Sequence, residues 1–310
     1  MKSTALISTL SLSLSLLGAP MAQASCEKVR MAEPGWTDLA LTTGIASVLL
    51  EGLGYETSSN VLGVTVIYES LVNNDLDVFL GFWDPAMATY FAPYVGGGKI
   101  ETIHQNLEGA KFTFAVPNYV YDAGVTEFAD LAAHSDQFGS KFYGIEAGSN
   151  LQMEQIIDSN AFELGGWDIV ESSEQGMLAQ VRRAAKRDEW VVFLGWAPHP
   201  MNVEFDIEYL SGGDDYFGPN FGGATVHTQV RAGYVEECPN VGKLLNQLNF
   251  TIPLESEGMG YIIEDGEDAD EAAIRLIKKH PDLLNTWLAG VTTVNGADGL
   301  AAVKAHIKDN

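Results

Sequence analysis

Positive charge is scarce in this chain. Seventeen lysines and arginines face 42 aspartates and glutamates over 310 residues, a formal charge of −25. Nucleic acids and anionic membrane surfaces need clustered Lys and Arg, so the deficit argues against both as partners. It fits solubility, tolerance of salt and a long-range pull on small cations, which salt weakens. Cysteine is scarce too, with two residues, which cannot build a zinc site alone. The six histidines show no HExxH and no spacing that pairs them with Cys. No G-x-S-x-G occurs. The glycine-rich LSGGDDYFGPNFGGA (210–224) lacks the Lys-Ser/Thr of a phosphate loop and reads as loop or hinge. Beyond the first residues no window has 18 uninterrupted apolar residues. What is present is 46% hydrophobic and 19% charged, too apolar for a disordered acidic chain. The length suits one large domain or two ordinary ones.

Residues 1–24 read as an export leader. Lys2 supplies the positive end, 5–17 is apolar but for Ser and Thr, and Ala22-Gln23-Ala24 has the small-x-small form of a cleavage site. Gln23-Ala24-Ser25 is a poor lipoprotein box, so cleavage before Ser25 without a lipid is expected. In an exported chain, Cys26 and Cys238 suggest one disulfide closing a very long loop, with two buried free thiols as the alternative.

Strand-like and helix-like runs alternate. Strands are expected at 28–33, 63–68 (GVTVIY), 77–81 (DVFLG), 111–116, 141–145 and 189–195, with an extended run at 225–234. Helices are expected at 42–51, stopped by Gly52 and Gly54; after the capping box 172–175, to about Lys186; and at 270–280, with acids first and Lys278, Lys279 and His280 last. The alternation predicts an α/β protein with mostly parallel sheets. DVFLGFWDP (77–85) echoes VVFLGWAPHP (191–200), which suggests two lobes of similar design. The acidic run 264–271 reads as a solvated helix start, and the basic cluster Arg182, Arg183, Lys186 and Arg187 as a solvated helix end.

Ligands of open α/β sheets bind beyond the carboxyl ends of strands. Trp36, Trp83 and Trp196 all follow strand-like runs there, poorly placed for packing between sheet and helices. Indole faces attract cations that donate no strong hydrogen bonds, quaternary ammonium above all. Asp38 is the natural counter-charge, or else a helix cap. Stacked tryptophans also hold sugars, but the neighbours here are Pro, Gly and Phe rather than the polar side chains a sugar needs.

GWTD (35–38), DVFLGFWDP, NLEGAKFTFA (106–115), YGIEAGSN (143–150), VESSEQGMLAQV (170–181), VFLGWAPHPMN (192–202), LSGGDDYFGPNFGGATVHT (210–228) and ECPNVGKLL (237–245) carry a resemblance that runs from Cys26 nearly to the end. The chain resembles the periplasmic choline-binding proteins of ABC importers, within the type II glycine betaine/choline group. The resemblance implies a two-lobe type II periplasmic-binding-protein fold with the ligand cleft between lobes. Lobe one would be discontinuous, 25–110 and 214–310, and lobe two 111–213, with hinge crossings near 110–111 and 212–214. It implies an aromatic cage of Trp36, Trp83 and Trp196 with Asp38 nearby. Phe112 stands where the family has a cage tyrosine. Ser149 stands where it has a hydroxyl-binding Asn, with Asn150 adjacent. It also supports the Cys26–Cys238 bridge, and implies an ABC permease as partner, periplasmic residence, no cofactor and no catalysis. Choline is the expected ligand. Glycine betaine and dimethylsulfoniopropionate are alternatives, because a helix start at 148–150 would suit a carboxylate. An exported choline-ester hydrolase is the rival class, and Ser149 has no evident His–acid pair for it.

Overall fold

The computed structural model describes residues 26–95 and 97–310; the expected leader lies outside them. Strand β1 (Lys28–Glu33) leads through helix α1 (Thr37–Gly52) to β2 (Glu56–Val61), and helix α2 (Val64–Val72) leads on to β3 (Val78–Asp84). β1 pairs in parallel with both β2 and β3, as crossover helices require. α1 is buried around most of its circumference. It packs against β1, β2 and β3 and against the helices Ile252–Ile263, Ala269–Lys279 and Gly299–Asp309.

The run 63–68 is not a strand. It enters α2, where Val64, Ile67, Tyr68 and Leu71 are buried. That spacing is a helical face, and tertiary burial overrides the β-branched composition of GVTVIY. The strand beside β1 is instead the polar ETSSNV of β2, an exposed edge with no alternation to reveal it.

The middle of the sheet is antiparallel. β4 (Ile100–Pro117) and β9 (Gly223–Arg231) run side by side, and with β5 (Lys141–Tyr143), β6 (Asp168–Val170) and β7 (Val192–Ala197) the order is β2-β1-β3-β9-β4-β7-β5-β6, β8 (Ile207–Tyr209) also lying on β4. β5 pairs in parallel with β6 and β7. Two parallel wings are thus joined by an antiparallel centre. β4 changes partners at Lys111, which pairs with Gly223 of β9 and Ala197 of β7.

Phe217, in the turn Asp214–Phe217, packs on Phe114 and Phe128, whose stack continues to Phe142. That turn therefore packs with the β5–β7 wing, and residues 218–222 lead on into β9. Gly222 is required there. Its φ is +65°, and a Cβ would lie 1.9 Å from the Phe112 carbonyl oxygen.

The Cys26–Cys238 disulfide is formed. Beside it Arg231 pairs with Glu237 and, together with Arg30, with buried Asp77. Burial raises the Asp77 carboxyl, but the two guanidiniums outweigh it and hold the group below its ordinary range. The helix that follows the capping box spans Glu174–Ala185, its cap being Ser173, whose Oγ accepts from Gly176 N. The acidic run does lead into a helix, and Asp265 and Glu267 there pair with Arg275. In the basic cluster, Arg182 pairs with Glu204 and Arg187 with Glu189. No helix among the described residues is long and apolar enough to cross a membrane.

Candidate ligand cavity

β3 and β7 end alike. Trp83 and Trp196 each stand one residue before a cis X-Pro bond, Asp84-Pro85 and Ala197-Pro198. The extra Phe82 in the first copy is absorbed by a bulge between Phe79 and Phe82 against β9. Phe112 on β4 sits directly across from Trp196 on β7. Trp83 tilts onto Phe112 from the other wing, ring centroids 6.5 Å apart. α1 lies close to β3 because Gly81 has no side chain; a Cβ there would meet Leu39 at 2.0 Å. This approach brings Trp36 and Asp38, at the start of α1, beside Trp83.

These residues line a cavity of about 40 Å³. Trp36, Asp38, Trp83, Phe112, Ser149 and Trp196 all line it. Asn150 does not. Its carboxamide is turned inward, accepting from Ile145 N at 2.9 Å and donating to the Ile145 carbonyl at 3.0 Å and to Glu171 at 3.2 Å. It holds the turn that presents Ser149. Six more lining residues were not singled out from the sequence: Val64, Ala86, Met87, Tyr90, Ile145 and Gln152. Among the described residues no Lys, Arg or His lines the cavity.

Two of these bolt the wings together. Gln152 Nε2 donates to the Ala86 carbonyl at 2.8 Å, and Tyr90 OH donates to the Gly148 carbonyl. Trp36 Nε1 donates across the cleft to Glu146 at 2.8 Å.

The electrostatics are one-sided. Asp38 is 2% exposed. Burial, then the facing Glu174, pushes its carboxyl up to about 7, against the backbone N–H groups of its own helix start and the nearby Trp83 indole N–H. Glu33 is raised by burial and by Glu174 and Glu146, and Glu255 well up by burial and by Asp38. Asp38 Oδ1 and Trp83 Nε1 are buried with no hydrogen-bond partner among the described residues. A buried acceptor and a buried donor left unpaired beside an aromatic cavity are costly unless a ligand meets them. The arrangement attracts a small cation, offers it π faces, and leaves one donor and one acceptor for a polar tail.

The family of substrate-binding domains of ABC-type glycine betaine transport systems matches residues 27–279. A solved ABC-transporter choline-binding protein in complex with choline is 52% identical, covers 92% of this chain and 99% of its own, and superposes with a TM-score of 0.90. An ABC-transporter choline-binding protein in an unliganded semi-closed conformation is 53% identical over 91% of this chain and 99% of its own, TM-score 0.83. The glycine betaine/carnitine transport binding protein GbuC of Listeria monocytogenes serotype 1/2a is 30% identical over 163 residues, 52% of this chain and 53% of its own.

Proposed function

Since the chain belongs to the family of substrate-binding domains of ABC-type glycine betaine transport systems, we propose that its cavity captures choline for delivery to a membrane permease. The family binds substrate rather than transforming it, so the choline-ester hydrolase is set aside. The observation that carries the choice of ligand is the composition of the cavity wall: five aromatic side chains, one carboxyl and, among the described residues, no basic side chain. Each ring face is worth roughly 0.5–2 kcal/mol to a desolvated ammonium. A carboxylate tail, as on glycine betaine or dimethylsulfoniopropionate, would enter a field already set by Asp38, Glu33, Glu146 and Glu174 with no lining cation to meet it. A hydroxyl tail can accept from one orphan group and donate to the other, with Ser149 in the same wall. The solved choline complex, similar over nearly the whole chain, supports the same choice.

The two wings serve as lobes, with Lys111 and 218–223 as hinge. The bonds from Trp36, Tyr90 and Gln152 across the cleft are the contacts a closed form would make. The leader and the disulfide favour periplasmic residence.

Calorimetry against choline, glycine betaine and dimethylsulfoniopropionate tests the ligand. Choline is expected to bind at least tenfold tighter than either carboxylate. Equal or tighter binding of a carboxylate ligand would overturn the choice.

A further inference from the structure

Thr37 lies between two cage residues, Trp36 and Asp38, and opens α1. The capping position before it is Trp36, whose side chain makes no cap hydrogen bond. The acceptor comes from the opposite wing. Glu174 places Oε2 2.9 Å from Thr37 N and Oε1 2.5 Å from Thr37 Oγ1. The same Oε1 lies 3.2 Å from His199 Nε2. His199 Nδ1 accepts from Met201 N at 2.9 Å, which leaves Nε2 as the protonated donor. The His199 ring stands nearly perpendicular to that of Trp196, centroids 5.0 Å apart. A continuous path thus runs from Trp196 through His199 and Glu174 to Thr37, ending between Trp36 and Asp38. It joins both sides of the cage, yet neither Glu174 nor His199 lines the cavity.

We infer that Glu174, oriented by His199, is a clasp that holds the two halves of the cage in register: a positioning residue for ligand capture that does not touch the ligand. The inference rests on reading the cavity as an onium site. Both side chains are 1% exposed, so the carboxylate depends on its partners to replace water. Thr37 is a partner only while the wings are together. On separation Glu174 loses both Thr37 bonds, and the first amide of α1 loses its cap. The same carboxylate faces Asp38 and Glu33 across the cleft. Closing on an empty cavity therefore gathers like charges, and a cation in the cage relieves them. The clasp favours closure over a cation and resists closure over nothing.

The test uses the full exported chain, with choline and tetramethylammonium as probes. Glu174→Ala should weaken both at least tenfold, through faster dissociation at little-changed association rate. Glu174→Gln should fall between, since its amide oxygen still accepts from Thr37 N–H. The thermal midpoint without ligand should stay within a degree or two of wild type, while the rise on adding probe shrinks. Should Glu174→Ala not fold, Glu174→Gln and Thr37→Val carry the same measurements. Wild-type dissociation rates in these variants, or an equal drop in midpoint with and without probe, would overturn the clasp while leaving choline as ligand. Failure of wild type to bind choline, with tetramethylammonium still bound and sensitive to Glu174, would overturn only the choice of choline. Binding of neither probe would overturn both.

Discussion

Trp83 and Trp196 occupy matching places on two strands from opposite wings, and Phe112 touches the first and pairs across strands with the second. The cage is therefore assembled from two copies of one local design, strand then glycine then tryptophan, that meet at the long strand β4. Neither copy makes a cage alone, because each offers one indole and the backbone that fixes it. The site exists only where β3 and β7 are brought to the same end of the joined sheet.

Loss of one wall should accordingly weaken the whole. Trp83→Ala and Trp196→Ala are each expected to cost at least about 1–2 kcal/mol of choline binding through lost cation–π contact and apolar burial. Trp83→Ala should cost more, since it also removes the unpaired indole N–H. Calorimetry reads both; near wild-type affinity in either variant would remove that ring from the cage.

Ser149 tests the tail of the ligand. A longer amide at this place in the wall should reach a hydroxyl and crowd a carboxylate. Ser149→Asn is thus expected to tighten choline and loosen glycine betaine in a competition titration, by up to about 1.5 kcal/mol for one hydrogen bond. A flat response to both ligands would mean that Ser149 does not read the tail.

The tryptophans of the cavity wall were legible because each follows a strand-like run with a Gly or Pro within two residues, where packing between layers gives no reason for a large ring. Asp38 was legible from its distance to Trp36. Tyr90, Gln152 and Glu174 carried no such mark. Their partners, Gly148, Ala86 and Thr37, are 58, 66 and 137 residues away in sequence, and only folding shows them as contacts. Asn150 looked like a ligand group because it adjoins Ser149, but a buried carboxamide inside a tight turn satisfies the local backbone first. Phe217 sits in a glycine-rich stretch that reads as loop, whereas its ring fills the core around Phe114.

The return crossing should tolerate no side chain at Gly222. Gly222→Ala combines a left-handed backbone with a clash against the Phe112 carbonyl. It is expected to lower stability by about 1–3 kcal/mol and, by displacing β4 at a cage residue, to weaken choline as well. Calorimetric unfolding and a binding titration on the same variant check the pair. An unchanged titration would mean that the crossing yields without moving Phe112.

The last expectation concerns pH, and its sign follows from Asp38. Its carboxyl is raised by burial and by the facing Glu174 from an ordinary 3.8 to about 7. Between those values the folded protein holds a proton that an unfolded chain has released, so this group favours the folded form at the acid end and loses that advantage as pH rises toward 7. A cation reverses the preference, because it stabilises the ionised carboxyl. Choline must then expel the proton below pH 7 but not above it. Its affinity should fall as pH drops from 8 to 6, by at most about tenfold per unit for one proton. Calorimetry in buffers of different ionisation heat should detect proton release at pH 6 and little at pH 8. The uncharged carbon isostere 3,3-dimethylbutan-1-ol should show no such fall. Asp38→Asn should flatten most of the choline profile, leaving what Glu33 and Glu255, also raised by burial, contribute. If choline binds equally at pH 6 and 8 with no proton released, Asp38 is already ionised in the empty protein, and its charge, rather than its titration, holds the cation.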